Sequence, residues 1–217
     1  QELTNKEREI ADDKLITGAF EQLLQIYIDS PHRKKVDIIT KAFNFARQAH
    51  KGVRRLSEEP DIMQPIAVAR IACEERVLSS TSISAALLHD VGIFMTNAPG
   101  IHCHGKHPYL LHGYLGAELL RSHGMHRLAR VCERHTGTGL TPEQIAAQQL
   151  PLPPGSYVPE TPEEQLLCYA DKFYSKSHPE RERTVAQTAV SLEKFGHDGV
   201  AKFMAWAERF EPELPKD

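Results

Sequence analysis

The sequence lacks the features that mark several large classes of protein. No apolar run among its 217 residues approaches the roughly 20 that a membrane-spanning helix requires. The N-terminal stretch QELTNKEREI has no apolar core of the kind that defines a signal peptide. The formal net charge is only −3, which gives no general electrostatic case for binding nucleic acid or a membrane. We therefore expect neither among its partners, and the composition leaves the oligomeric state open.

Cysteine pairing is also missing from the sequence pattern. The four cysteines are scattered and form no C-x-x-C pair, and a chain of this length can bury a core without disulfides. Reduced thiols and a cytoplasmic location are the simplest interpretation.

Alternating strand patterns are absent, whereas apolar residues recur at helical spacing almost throughout. The first predicted helix has Ile10, Leu15, Phe20, Leu23 and Tyr27 on its apolar face, and Ser30-Pro31 ends it. Further helices are predicted over about 34–50, from about 65, after one of the candidate caps Ser79, Ser80 and Thr81, over 110–123, over 127–135, and twice or three times within 163–210. Residues 97–108 and the proline-rich stretch 149–162 are predicted to be irregular. The fold prediction is one all-α domain over residues 1–217.

The strongest chemical signal is His89-Asp90, at the end of the apolar segment ISAALLHD. A carboxylate buried there costs several kcal/mol unless a cation or a donor compensates. An imidazole beside a carboxylate suits a divalent metal. Taken alone, however, the pair is better explained as a helix-capping Asp beside a hydrogen-bonded core His.

The surrounding motifs change that interpretation. LLHDVG resembles the HDxG motif of HD-superfamily phosphohydrolases. His112 in HGYLGAELL, His135 in CERHTGTG and Asp171 in CYADKFYSK follow it in the order found in two-metal members. The resemblance implies an HD-domain helical bundle that holds two divalent ions (Mn, Fe, Mg or Zn). It implies that His89 and Asp90 are the catalytic pair. It also implies that the metal ligands are His89, Asp90, His112, His135 and Asp171.

The resemblance differs between the two parts of the chain. Within residues 1–90, the stretch KAFNFARQAHKGVRRLSEEPDIMQPIAVARIACEE is similar to the hydrolase domain of the RelA/SpoT alarmone family. Within residues 91–217, the stretch GIFMTNAPGIHCHGKHPYLLHGYLGAELL is similar to small HDIG-type phosphohydrolases. The two likenesses meet at LLHD, which indicates a composite within one superfamily fold, of natural or engineered origin.

Two departures from these families affect the expected chemistry. Gln64 stands where both families imply a first metal-ligand His, and an amide lacks the basic nitrogen of an imidazole. Ile93 and Phe94 stand where the alarmone family has an acidic pair that acts on the attacking water. The first departure predicts a weakened metal position, and the second argues against alarmone hydrolysis by that family's route.

Basic residues give the expected substrate contacts. Arg54 and Arg55 match positions that contact the nucleotide in the alarmone family, and arginine can grip a phosphate with two parallel hydrogen bonds. Lys172, beside Asp171, is placed to reach a phosphate. The competing interpretations are a solvated basic turn for the arginines and a helix-surface lysine for Lys172.

Together these features predict a divalent-metal-dependent phosphohydrolase. It would cleave a phosphate ester or anhydride of a small-molecule substrate, a nucleotide by resemblance, with activity impaired by Gln64. One alternative is a degenerate module that binds a nucleotide or a metal without turnover. Another is a structural helical domain that takes up adventitious metal. Metal-ligating imidazoles usually need a hydrogen-bond acceptor for their second nitrogen, and Glu133 and Asp171 are the candidates for it.

Overall fold

The computed structural model describes residues 4–31, 35–76, 79–173, 183–193 and 196–210. Within these ranges the fold is mainly helical, as predicted. None of the helices in the described ranges is both long and apolar enough to cross a bilayer. The described residues contain ten α-helices: α1 (Asn5–Asp29), α2 (Val36–Ala49), α3 (Met63–Arg76), α4 (Ser80–Leu88), α5 (His112–Ser122), α6 (His126–Arg134), α7 (Pro142–Ala147), α8 (Pro162–Asp171), α9 (Val185–Leu192) and α10 (His197–Phe210).

Helix α1 ends where the sequence predicts, at Ser30, and a capping box between Thr4 and Glu7 begins it. Its buried residues are Phe20, Leu23 and Tyr27, as expected from the spacing. The prediction was wrong for the two apolar residues nearer the N-terminus, because Ile10 is 61% and Leu15 is 46% exposed. Residues 4–15 are almost all exposed, so the first turns of α1 lie outside the core.

Helix α4 lies at the centre of the main core. Eight of its nine residues are buried, and it packs against α2, α3, α6 and α8. Its N-cap is Ser79, whose hydroxyl accepts a hydrogen bond from the Ser82 amide. A helix that is covered on every side fixes the position of its C-terminal end, and that end carries His89 and Asp90.

A small sheet lies in the segment predicted to be irregular. Strand β1 (Thr96–Ala98) pairs antiparallel with β2 (Cys103–His104) and parallel with β3 (His107–Pro108). Strands of two or three residues are too short to produce an alternating apolar pattern, so the sequence analysis missed them. The six-residue helix α7 was not predicted either; it begins with a capping box at Thr141.

Helix α8 carries Asp171 at its last residue, and a buried carboxylate anchors its first turn. Glu164 is 4% exposed. It accepts hydrogen bonds from the backbone amides of Glu160 (2.8 Å) and Thr161 (3.2 Å), and from Nε of Arg130 (2.8 Å). Burial opposes ionisation, but these donors together outweigh it and lower the pKa of Glu164 below its ordinary 4.5.

Replacing Glu164 with Gln should lower the free energy of unfolding by about 1–3 kcal/mol at pH 7, because the amide cannot accept all three hydrogen bonds. The folded-state pKa lies below the unfolded value, so the stabilisation is present above about pH 4.5 and disappears as the pH falls through the folded pKa. Urea titrations at pH 7 and at low pH measure this difference. The exposed Glu143→Gln is the matched control. A Gln variant as stable as the control at pH 7 would contradict the assignment.

Candidate metal centre

The five residues predicted to bind metal lie together in the structure, at the ends of four helices. His89 caps the C-terminus of α4 and Asp90 follows it. His112 begins α5, His135 follows α6, and Asp171 ends α8. The first four are buried, and the side chain of Asp171 is 15% exposed.

The side chains approach one another through their outer nitrogen and oxygen atoms. Nε2 of His89 lies 3.2 Å from Oδ1 of Asp171. Nε2 of His112 lies 3.0 Å from Nε2 of His135. Oδ1 of Asp90 is 3.5 Å from the His112 nitrogen and 3.8 Å from the His135 nitrogen. Two groups of three result, each able to hold one ion: His89, His135 and Asp171; Asp90, His112 and His135.

The inner nitrogen of each imidazole has a backbone partner. Nδ1 of His89 lies 2.6 Å from the Ala86 carbonyl, and Nδ1 of His135 lies 2.6 Å from the Cys132 carbonyl. Both carbonyls belong to the last turn of a helix, where no intrahelical amide is available. Nδ1 of His112 similarly lies 2.7 Å from the Tyr109 carbonyl. Carbonyl oxygens only accept, so each Nδ1 carries its hydrogen and each neutral ring presents a lone pair at Nε2.

The expected acceptors for the imidazole hydrogens were therefore wrong. Glu133 instead forms an ion pair with Arg121, and Asp171 faces the Nε2 side of His89. Here the backbone carbonyls accept the imidazole hydrogens in place of a carboxylate, and they thereby fix the tautomer and the orientation of each ring.

This donor set fits a divalent cation. In the neutral tautomers, the His112 and His135 lone pairs point at each other across 3.0 Å, and a carboxylate oxygen lies close to both. Acceptors that converge in a buried space are stable only with a positive species between them. Imidazole nitrogen with carboxylate oxygen is a ligand combination that suits Mn, Fe or Zn.

The charges around the centre favour the neutral form of His135 and the ionised form of Asp171, which are the forms that bind metal, but they favour the protonated form of His89. Burial lowers the pKa of His135 well below its ordinary value, and the neighbouring His89 and His112 lower it further. Burial raises the pKa of Asp171, but Lys172, His89 and His135 outweigh this effect and hold it well below its usual range. Burial lowers the pKa of His89, and the carboxylates of Asp171 and Asp90 overcome it, so the net direction is upward.

Lys172 lies inside the site rather than on the helix surface. Its side chain is 11% exposed, and Nζ binds the Asp171 carboxylate and, at 3.0 Å, the His135 carbonyl. The same carbonyl accepts a weak hydrogen bond from the Cys168 thiol. Burial raises the pKa of this thiol to about 11. These contacts tie the turn that carries His135 to the end of α8.

Gln64 lies in the centre, in the first turn of α3, at the position where the family resemblance implies a His. It is 3% exposed. Its Nε2 donates a hydrogen bond to Oδ1 of Asp171, and its Oε1 is buried with no hydrogen-bond partner. The Gln64 amide thus uses one oxygen of the predicted ligand Asp171, while its own oxygen stays buried without a hydrogen bond.

The glycine of the HDxG motif lets α5 approach the turn that follows α4. A Cβ on Gly92 would stand 2.1 Å from the His112 carbonyl oxygen and 2.4 Å from the Gly116 nitrogen. A Cβ on Gly116 would stand 2.6 Å from the Cys132 sulfur. Bare backbone at both positions brings His112 to within reach of Asp90 and His135.

The predicted substrate contacts Arg54 and Arg55 lie in the turn between α2 and α3. Both guanidinium nitrogens of Arg54 contact Asp12, at 2.6 and 3.3 Å, and its Nε lies 3.6 Å from Glu58. Arg55 is only 1% exposed. Arg54 also lines a surface groove of about 630 Å³ between α1 and α2.

Two residues beside the centre, His50 and Asp61, were not predicted as ligands, and His50 was expected only in the basic loop with Arg54. Both are buried, and with Asp90 they form a third group of side chains close enough to share an ion. The available signal was an imidazole at the end of α2 and an aspartate three residues before Gln64. Their separation by a loop gave no recognisable ligand spacing.

Comparison with known proteins supports the family resemblance. A family model described as "HD domain" matches residues 63–175, which is more than half of the 217-residue chain. The match includes the five predicted ligands and Gln64, and it begins after Arg54 and Arg55.

The relatives match over shorter stretches. The chain is 39% identical over 106 residues to the tRNA (cytidine(56)-2′-O)-methyltransferase of Picrophilus torridus, covering 48% of this chain and 26% of that protein. It is 43% identical over 88 residues to an uncharacterised protein of Methanocaldococcus jannaschii, covering 40% and 44%. It is 40% identical over 73 residues to the guanosine-3′,5′-bis(diphosphate) 3′-pyrophosphohydrolase of Vibrio cholerae, covering 34% and 10%. The chain thus spans less than half the length of each of these relatives.

Replacing Gly92 with Ala should lower the free energy of unfolding by about 1–3 kcal/mol or more, because the new methyl group meets backbone atoms that cannot move independently. It should also displace His112 from Asp90 and weaken Mn²⁺ binding. Urea unfolding and Mn²⁺ titration measure the two effects. The control is Gly18→Ala in α1, where a Cβ meets nothing within 4 Å and helix propensity predicts a gain of up to about 1 kcal/mol. Equal stability of the two variants would disprove the close approach.

Proposed function

Because the chain belongs to the HD domain family, we propose that it is a divalent-metal-dependent phosphohydrolase acting on a small phosphorylated molecule. The observation that carries the proposal is the convergence of three tautomerically fixed imidazoles and two carboxylates in one buried space. We propose further that the 217 residues form a single domain around this centre.

The proposed ligands are His89, Asp90, His112, His135 and Asp171, with two ions per chain. Bound divalent ions supply Lewis acidity, lower the pKa of water and neutralise charge on phosphoryl oxygens, as hydrolysis of a phosphate ester or anhydride requires. Asp90 lies near both His112 and His135, so these three residues would hold one ion, and His135 belongs to both groups. His89 orients the Asp171 carboxylate from one side.

Lys172 has a proposed role in the charge balance of the site. Its ammonium group keeps Asp171 ionised in a buried position. The same positive charge, next to the proposed ligands, favours the approach of an anionic phosphate. We therefore retain Lys172 as a substrate contact, although it holds a carboxylate and a carbonyl when no substrate is bound.

A nucleotide is the proposed substrate class. Support comes from the match to the Vibrio cholerae protein, whose name states hydrolysis of guanosine bis(diphosphate), and from Arg54, which lines an open groove, whereas Arg55 is buried and is not placed to contact a substrate. Arg54 would have to exchange Asp12 for a phosphate, which arginine's paired donors allow. The non-acidic side chains of Ile93 and Phe94 argue that an alarmone, if bound, is not cleaved by the route of that family. The named methyltransferase makes an RNA oligonucleotide a necessary comparison substrate.

The alternative is a binding module without turnover, and one observation favours it. Gln64 occupies an oxygen of Asp171 and offers no imidazole. A centre in which this hydrogen bond persists would hold its ions weakly, and the protein would then bind a nucleotide or a metal rather than hydrolyse a substrate.

The purified chain should bind at least two Mn²⁺ ions and release phosphate or a nucleotide product from a phosphoester panel in a Mn²⁺-dependent manner. The panel contains p-nitrophenyl phosphate, nucleoside mono-, di- and triphosphates, guanosine bis(diphosphate), cyclic dinucleotides and single-stranded RNA. Asp90→Asn should lower turnover by at least about 100-fold, since even residues outside the ligand set cost 10- to 100-fold. The control is the exposed Asp37→Asn in α2. Metal binding without turnover on any substrate would favour the binding module and overturn the enzyme assignment.

Gln64→His should lower the Mn²⁺ concentration for half-saturation by about 10-fold or more and raise phosphohydrolase activity. The imidazole adds a nitrogen ligand and frees Asp171 from the amide. Metal titration and steady-state kinetics measure the two effects, with Gln22→His on the exposed face of α1 as the control. Unchanged metal affinity in Gln64→His would show that this position does not face an ion.

A further inference from the structure

We infer that His50 and Asp61, together with Asp90, form a third divalent-cation position beside the predicted ligand set. The inference rests on the proposed metal centre, because Asp90 belongs to both groups. One ligand atom from each of the three residues lies within 4.8 Å of the others. Two ligands on opposite sides of one ion are about 4.4 Å apart at bond lengths near 2.2 Å, so the spacing is close to that of a coordinated ion.

The chain folds back on itself to build this position. The Val53 amide donates to the His50 carbonyl at 3.0 Å, and the Asp61 amide donates to the Val53 carbonyl at 3.0 Å. A bridge between Arg54 and Pro60 closes the loop between them. Asp61 is thereby held beside the end of α2, directly before α3.

The His50 ring is oriented like the three imidazoles of the main centre. Its Nδ1 lies 2.8 Å from the Ala46 carbonyl in the last turn of α2, so Nδ1 carries the hydrogen and the neutral ring presents its Nε2 lone pair. That nitrogen lies 3.6 Å from Oδ2 of Asp61. In the neutral tautomer two acceptors therefore face each other, and a cation between them would satisfy both.

Unpartnered polar atoms support a ligand at this position. The side chains of His50 and Asp61 are 0% and 1% exposed. Nε2 of His50 and both carboxylate oxygens of Asp61 are buried and have no hydrogen-bond partner. A carboxylate buried without donors costs several kcal/mol, and the 3.6 Å separation is too long for a hydrogen bond from a protonated His50.

The donor set indicates the class of cation. One imidazole nitrogen and two carboxylates form a harder set than the His89, His135 and Asp171 group, and they suit Mn²⁺, Fe²⁺ or Mg²⁺. His50 also lines the groove that contains Arg54.

The test is the Mn²⁺ stoichiometry of the full chain, measured by equilibrium dialysis with elemental analysis and by electron paramagnetic resonance. Wild type should bind three ions, and Asp61→Asn and His50→Gln should each bind two. Asp171→Asn should lose a different ion and keep the one that depends on Asp61. Asp13→Asn, which alters an exposed carboxylate of α1, is the matched control and should bind three.

Two results separate this inference from the proposed function. If wild type and Asp61→Asn both bind two ions, the third position is refuted and the two-ion centre stands. Wild type that binds no Mn²⁺ would overturn both. If the variants do not fold, anomalous scattering from Mn²⁺-soaked wild-type crystals decides the question. A peak within bonding distance of His50 and Asp61 is expected, and its absence at saturating Mn²⁺ would refute the inference.

Discussion

The centre of this protein depends on one hydrogen bond repeated four times, from an imidazole Nδ1 to a backbone carbonyl three or four residues earlier. Three of these carbonyls lie in the last turn of a helix, and that of Ala46 also accepts the His50 backbone amide. The bond stabilises the helix end and at the same time fixes the tautomer. Each ring then presents a lone pair away from its own helix, and the fold directs these lone pairs into a common interior.

Close helix packing provides the second constraint. Lone pairs from α4, α5 and α6 meet only because Gly92 and Gly116 permit backbone contact. A side chain at either position would separate the helices that carry Asp90, His112 and His135. The glycine of the HDxG motif is thus part of the site through packing, although it offers no atom to a ligand.

The sequence predicted those features that depend on apolar periodicity or on the order of motifs along the chain. Apolar spacing located the long helices, and the order of His89, Asp90, His112, His135 and Asp171 picked out residues that the fold brings together. The short strands at Thr96 and Cys103 left no periodic signal. The pairing of His50 with Asp61 arises from a loop that folds back through Val53, and neither residue type nor spacing reports such a contact. Burial of Lys172 was also invisible, because its neighbours come from α6 and from the end of α8.

Gln64 and Asp61 have opposite consequences for the same carboxylate centre. Gln64 contributes no nitrogen and no charge, whereas Asp61 adds a buried negative charge beside Asp90. The ligand character therefore shifts from imidazole-rich near Asp171 to oxygen-rich near His50. Oxygen ligands favour hard divalent ions, and a buried pair of carboxylates requires a compensating cation. An ion between His50, Asp61 and Asp90 would supply that charge. It would also hold Asp90 in position for the ions proposed at the main centre. We therefore expect binding of an ion at this position to strengthen binding at the other two.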